Sequence, residues 1–258
     1  MVKLIQNEYL KLHAKKGIYF LMGILVGLEI IIAIGMKQWA PAELQISGYG
    51  SFTNTMLSLI FLIVTIFGIT LATRSITEEF QKGTIKQLLI RPRKRVTVLF
   101  SKYITIALVI TVISFITFMI SVLIGMVVFG GEKEGLTVAV LMKKFMYEIV
   151  SLLFFITLAF CLANIFRKSV LSLVMSLFIF FLEGTINTVL MILAKGVAKF
   201  SVFSHLDLSV YDSNELINAG MKPPFAGFTF TTSLLIVITY FAILLIVSSA
   251  LFQKRDVL

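Results

Sequence analysis

The chain has 258 residues, of which 59% are hydrophobic and 14% are charged, whereas a soluble domain has roughly 45–50% apolar and about 25% charged residues. This composition argues against a soluble enzyme. The net charge of +10 would suggest a nucleic-acid surface in a soluble protein, but in so apolar a chain it indicates charges crowded onto one membrane face. One cysteine and two histidines leave too few ligands for a zinc or haem site within the chain, so we expect no metal site and no catalytic residues.

Six apolar runs follow one another along the chain, and each is long enough to cross a membrane, since about 20 helical residues span the hydrocarbon core. The four prolines all fall outside these runs, so no span should carry a proline kink. We expect an all-α integral membrane protein, a single transmembrane domain over residues 1–258. Its six predicted spans are residues 17–36, 52–72, 103–129, 145–166, 170–193 and 231–252.

The charges of the connecting segments predict the orientation. If residues 1–16, the 73–102 loop, the 167–169 turn and the C-terminal tail lie on one side, that side holds 16 of the 23 Lys and Arg residues. The positive-inside rule makes this side cytoplasmic. We therefore expect both termini inside the cell, with residues 194–230 as the longest outer segment, which re-enters the membrane or lies on the outer leaflet and covers the exit.

The sequence of the 73–102 loop predicts a short helix rather than an unstructured connection. Thr84, followed three residues later by Gln87, matches a capping box, so a short helix should begin there. Pro92 should end this helix at Arg91. Its apolar face is formed by Ile85, Leu88 and Leu89. A short helix of this kind between two membrane spans is suited to docking into a groove on a cytoplasmic partner.

At these residues the chain resembles the permease subunits of type-2 ABC exporters, also called ABC-2 or type V exporters. The matching residues are Glu79, the run from Gly83 to Lys86, Leu88, Leu89, Pro92, Arg95 and Lys102, with support from Asn7, Glu8 and Lys11. Residues 203–211 look like the outer segment of Gram-positive members. With the six spans, the resemblance covers nearly the whole chain.

The resemblance implies a permease without its own ATPase, and the sequence indeed has no G-x-x-x-x-G-K-[ST] phosphate loop. ATP and Mg²⁺ would bind to a separate cytoplasmic ABC ATPase, present in two copies. A second permease, identical or paralogous, would complete the assembly. In the family, the loop between the second and third spans carries the coupling helix, here about residues 84–91, and residues 1–16 form an interfacial amphipathic helix.

The residues that the resemblance assigns to ATPase coupling are Glu79, Gly83, Thr84, Ile85, Leu88, Leu89, Pro92 and Arg95. The basic side chains around Pro92 are also placed to contact anionic lipid. We expect no nucleic acid as a partner.

Two ionisable side chains lie deep within the spans, Glu29 in the first and Glu183 in the fifth. A carboxylate at mid-bilayer costs roughly 2.5–3.5 kcal/mol on insertion scales, so such residues usually face a cavity or a partner. Ser172, Ser176 and Asn187 recur with Glu183 near one face of the fifth helix. We hypothesise that Glu29, Ser176, Glu183 and Asn187 border the substrate path and attract cationic or amphipathic substrates.

The resulting expectation is an exporter of amphipathic or antimicrobial peptides, or of similar hydrophobic compounds, located in the bacterial plasma membrane and working by alternating access. The Gram-positive character of the loops resembles the phenol-soluble modulin exporters and the bacitracin or lantibiotic immunity systems. A peptide sensor or immunity subunit that does not transport, and a drug or sodium exporter, are the alternatives. An intramembrane enzyme is disfavoured because the sequence has no H-E-x-x-H motif and no histidine within a span.

Overall fold

The protein is built from helices. Its structure, a computed structural model, describes residues 1–39, 46–81, 95–131 and 135–254. Six helices in these ranges are long and apolar enough to cross a membrane, which confirms the predicted all-α fold. The helices are α1 (Val2–Ala14), α2 (Gly17–Trp39), α3 (Tyr49–Gln81), α4 (Arg95–Phe129), α5 (Val138–Phe166), α6 (Ser169–Leu193), α7 (Lys195–Ala198), α8 (Glu215–Asn218) and α9 (Phe230–Lys254).

Helices α3 and α4 extend well past the apolar runs predicted for them. The sequence predicts spans at 52–72 and 103–129, but α3 continues to Gln81 and α4 begins at Arg95. Helix α4 packs against α1, and the extra turns of α3 form ion pairs with Lys11 of α1 and Lys102 of α4. The chain turns from α1 into α2 at Lys16, which adopts a left-handed φ of 53°. We call the end of the bundle that carries α1 and these extra turns the terminal face, and the opposite end the far face.

The core lies around α3, which packs chiefly against α4 and α5. Phe52, Ile60 and Val64 of α3 are buried, as are Ile110 of α4 and Phe155 of α5. In α6 and α9, in contrast, only 11% of the apolar membrane-spanning stretch is buried within the chain. These two helices therefore present most of their apolar surface to the membrane or to other subunits.

A close backbone approach fixes the start of α3. A Cβ atom added to Gly50 would lie 2.5 Å from both the Cβ atom and the carbonyl oxygen of Leu136. Real side chains do not tolerate such a separation, so glycine is required where α3 passes the segment that leads into α5. This contact positions the far-face ends of α3 and α5 beside each other.

Residues 194–229 form a packed cap on the far face. Besides α7 and α8, this cap contains two 3₁₀ turns, at Val202–Ser204 and Leu208–Tyr211. His205 is buried within it, with Nδ1 at 2.9 Å from Ser233 Oγ and Nε2 at 2.9 Å from the Lys199 carbonyl oxygen. The cap is therefore held to α9 by a histidine that serves as a structural hydrogen-bonding group.

Candidate functional site

A buried ion cluster joins three helices on the terminal face. The side chain of Lys102, on α4, is only 2% exposed. Its ammonium lies 2.7 Å from Glu8 Oε2 on α1 and 2.6 Å from Glu79 Oε1 on α3. The ammonium of Lys11 joins the same cluster, at 2.7 Å from Glu8 Oε1 and 3.3 Å from Glu79 Oε1. The four residues balance two positive and two negative charges, which is the arrangement that permits a lysine to be buried.

The electrostatics of this cluster favour its ionised form. Burial pushes the pKa of Glu8 upward, but the charges and hydrogen bonds of Lys102 and Lys11 outweigh it and hold that pKa below its ordinary value. A second, more exposed ion pair lies next to the cluster. Its Lys15 Nζ, on the α1–α2 connection, is 2.6 Å from Glu78 Oε2. Helix α1 and its connection to α2 are thus joined to the end of α3 by ion pairs.

The predicted coupling residues divide into two groups. Glu79 lies in the last turn of α3, inside the ion cluster, and Arg95 is the first residue of α4, where its Nη1 donates to the Gln253 carbonyl oxygen at 3.4 Å. The other six lie outside the described residues: Gly83, Thr84, Ile85, Leu88, Leu89 and Pro92. The structure therefore shows how both ends of the predicted coupling segment are anchored.

The polar face of α6 points into the protein, as its spacing predicts. Ser172 and Ser176 are buried, and their hydroxyls donate to the carbonyl oxygens of Lys168 and Ser172 at 2.9 and 2.7 Å. Further along the same face, Asn187 Oδ1 accepts a 2.6 Å hydrogen bond from Ser204 Oγ, in the far-face cap. Because Ser176 bonds its own helix backbone, it has less capacity for a ligand than Glu183 has.

Glu183 and Asn187 line a cavity of about 450 Å³ beneath the cap. The cavity lies between α3, α5, α6 and the cap, and Glu183 is ten residues before the end of α6, about 15 Å along the helix axis. Its other charged or amide residues are Asn54, Lys144, Glu148 and Asp207. Glu183 Oε2 is buried and has no hydrogen-bond partner among the described residues.

The sequence hypothesis did not include Lys144, Glu148 or Asp207. Glu148 is close enough to interact electrostatically with Lys144 and Asp207, and Glu183 is close enough to interact with Glu148 and Asp207. The available signal was the spacing of Lys144 and Glu148, which lie four residues apart near one end of a span and so share one helix face. Asp207 carried no such signal, because only the folded cap brings it over the cavity.

Glu29 lies apart from the cavity that Glu183 lines. It is fully buried in α2, a helix that packs mainly on α4, and neither carboxyl oxygen has a hydrogen-bond partner among the described residues. Glu29 is not among the residues that line the cavity beneath the cap. Lys37, eight residues later, donates to the Val128 carbonyl oxygen at 2.8 Å, which places Glu29 about 12 Å deeper along the α2 axis.

The metal-binding residue types are scattered in the part of the chain that the structure describes. It contains no group of three or more His, Cys, Asp or Glu side chains arranged to hold a metal ion. Cys161 is a buried free thiol, and both ring nitrogens of His205 are engaged in the cap.

Comparison with known proteins identifies the class of this membrane protein. Residues 4–183, more than half of the chain, match the family described as ABC-2 family transporter protein. The uncharacterized protein YhcI of Bacillus subtilis (strain 168) is 34% identical over 229 residues, covering 82% of this chain and 70% of YhcI. The uncharacterized membrane protein YdbK of the same strain is 26% identical over 246 residues, covering 92% of this chain and 91% of YdbK. The chain therefore belongs to the ABC-2 family and is the membrane component of an ABC transporter whose ATPase is a partner subunit.

Proposed function

We propose that this chain is the permease of an exporter that moves cationic amphipathic or antimicrobial peptides, or similar hydrophobic compounds, out across the plasma membrane. The observation that carries this proposal is the polar face of α6, which leads to Glu183 and Asn187 in an open cavity beneath the cap. An ionisable side chain within a membrane span generally marks a substrate or ion pathway. In this proposal both chain termini are cytoplasmic and the cap faces outward.

The ATPase docks, in this proposal, on the segment between Gln81 and Arg95. Both ends of that segment are held, one by Glu79 in the ion cluster and the other by Arg95 against the end of α9. Lys102 links Glu79 to Glu8, so a force applied to the segment reaches α1, α3 and α4 together. ATP and Mg²⁺ bind on two partner ATPase subunits, and ATP-driven movement is transmitted as displacement of whole helices.

The substrate path in this proposal is bordered by Ser176, Glu183 and Asn187, and by Glu29 once α2 shifts. Glu29 is buried in the present conformation, on a helix that packs mainly on α4, and a buried carboxyl with no hydrogen-bond partner among the described residues is costly. Separation of α2 from α4 would expose it to the path. A second permease, identical or paralogous, supplies the other wall, and anionic lipid contacts the basic terminal face.

The test is ATP hydrolysis and peptide export by the complex of this chain with its ATPase in proteoliposomes. A cationic amphipathic helix should stimulate hydrolysis and appear on the far side of the membrane. Glu183→Gln should lower export at least about tenfold while leaving co-purification of the ATPase unchanged, because a charge contact to substrate is lost and the fold is kept. Glu215→Gln, which alters an exposed carboxylate of the cap, is the matched control.

Each alternative gives a different result in the same assay. Stimulated hydrolysis without peptide movement would indicate a sensor or immunity subunit, and stimulation by drugs or sodium alone would indicate those substrates. Indifference of hydrolysis to a panel of cationic amphipathic peptides would contradict the proposal. So would normal export by Glu183→Gln, or loss of assembly in that variant.

A further inference from the structure

The cavity beneath the cap has more negative than positive groups. Glu148 of α5, Glu183 of α6 and Asp207 of the cap line it, with Lys144 as the cationic side chain among its lining residues. The three carboxylates come from three separate elements and lie close enough to repel one another. The fold thus holds together groups that a cation in the cavity would stabilise.

The existing hydrogen bonds do not remove this excess. The ammonium of Lys144 is directed to Asn54 Oδ1, at 2.7 Å, rather than to a carboxylate. Asp207 Oδ1 accepts from the backbone N–H and the hydroxyl of Ser209, at 3.0 and 2.6 Å, which fixes its orientation. Glu183 Oε2 is buried without a partner among the described residues. A hydrogen-bond donor on a bound ligand would supply the partner that this oxygen lacks.

Apolar side chains form part of the lining, beside the hydroxyls of Ser58, Tyr147 and Ser151, and they narrow the class of ligand. Leu57 and Leu206 are buried, and Phe203 and Met221 also line the cavity. A volume of about 450 Å³ lies within the range of small-ligand sites, and a lining of mixed polar and apolar side chains fits a ligand that is itself amphipathic. A bare divalent metal fits poorly, since the described residues form no metal-ligand group.

We propose that this cavity binds the primary ammonium or guanidinium group of an amphipathic cation, whose apolar part lies against Phe203, Leu206 and Met221. Glu148, Glu183 and Asp207 accept its hydrogen bonds. The inference rests on the proposed export function, in which the cavity is the last site that a substrate meets before release under the cap. The cation belongs either to a basic side chain of a peptide or to a small alkylammonium compound.

The experiment measures ligand binding to the complex of the full chain with its ATPase, in nanodiscs of neutral phosphatidylcholine. The probes are a labelled lysine-containing amphipathic helix, the same helix with its lysines acetylated, and dodecylammonium as a competitor. We expect acetylation to weaken binding about tenfold or more, because charge-assisted hydrogen bonds are lost. Competition by dodecylammonium would show that one alkylammonium group suffices, whereas its failure with retained peptide binding would assign the site to peptides.

Variants that remove a negative charge and a variant that removes a positive charge make the test specific for a cation. Glu148→Gln and Asp207→Asn should each weaken binding about tenfold, and Asn at 207 can still accept the hydrogen bond that caps the 3₁₀ turn. Lys144→Gln should strengthen binding about threefold, because it removes the positive charge next to Glu148. Glu215→Gln, outside the cavity lining, should change nothing. Thermal unfolding and ATPase co-purification verify that each variant is folded.

Failure of this inference can be told from failure of the proposed function. Equal binding of acetylated and unmodified helix, or unchanged binding in folded Glu148→Gln and Asp207→Asn, would overturn the cation site even if peptide still stimulated ATP hydrolysis and export. Weakened binding by Lys144→Gln would also overturn it, since that result indicates an anionic ligand. Charge-dependent binding without any transport would instead uphold the site and overturn the export function.

Discussion

Lys102 is the residue on which the terminal face depends most. Its buried ammonium is shared by Glu8 and Glu79, so its removal leaves two carboxylates without their central cation. Breaking a buried ion pair by removing one partner costs about 3–5 kcal/mol, whereas an exposed pair contributes about 0.2–1 kcal/mol. We expect Lys102→Met to lower the free energy of unfolding by the larger amount and Lys15→Met, whose pair with Glu78 is exposed, by the smaller.

Chemical denaturation of the two variants in the same detergent micelles measures this difference. ATP-driven transport should also fall in Lys102→Met, since the link from the coupling segment to α1 is broken. Equal and small losses of stability in both variants would contradict a buried cluster, because they would mean that Lys102 is as well solvated as Lys15.

At the scale of elements, an ion pair between Asp212 and Lys143 joins the cap to α5. Asp212 Oδ2 accepts from Lys143 Nζ at 2.9 Å and from the Tyr147 hydroxyl at 2.8 Å. The hydrogen bond from Lys143, with further bonds from Asn214 and Tyr147, holds the pKa of Asp212 below its ordinary value despite the opposing effect of burial. A lowered pKa means that the ionised carboxylate stabilises the docked cap above the ordinary aspartate pKa, near 4.

This stabilisation should disappear as the pH falls through the lowered pKa of Asp212. Hydrogen exchange of the cap amides, expressed as protection relative to the intrinsic exchange rate at each pH, should show lower protection in the acidic part of the range from pH 7 to below pH 4. In Asp212→Asn exchange should already be faster at pH 7, and its acid-dependent part should be smaller, because no carboxylate remains at this position to be protonated. Identical pH profiles for the two proteins would show that the ion pair does not dock the cap.

At the scale of the whole molecule, α6 and α9 leave apolar surface for other subunits or lipid. Exposed side chains along them include Phe178, Phe181, Ile192, Leu235 and Ile246. Six helices form one half of the proposed pathway, so we expect two permeases and two ATPases in the purified complex. Native mass spectrometry measures this stoichiometry directly.

A double variant distinguishes the interface between permease and ATPase from the interface between the two permeases. Leu88→Asp with Leu89→Asp places charges on the predicted apolar face of the coupling helix, so the ATPases should be lost while the permease pair remains. Retention of both ATPases would contradict the assignment of this segment to docking. A complex of one permease and one ATPase with full activity would contradict the second permease.

Much of the fold followed from local features of the sequence. Each apolar run had to become a helix in the membrane, because an isolated span has no other way to satisfy its backbone hydrogen bonds. The inward face of α6 also followed, since helical periodicity puts Ser172, Ser176 and Asn187 on one side. The resemblance to ABC-2 permeases is confirmed by the family match over residues 4–183, while peptide as the substrate stays a prediction.

The sequence by itself determined the class of protein, six apolar helices with two carboxylates inside them, because hydropathy and helical period are local properties of the chain. Only the tertiary structure decided which charges meet. Glu8, Glu79 and Lys102 are far apart in sequence and form one buried cluster, while Glu148 and Asp207 join Glu183 around one cavity and Glu29 lies elsewhere. The physical reason is that ion pairs and cavities depend on distances between helices, which packing sets and spacing within one helix does not contain.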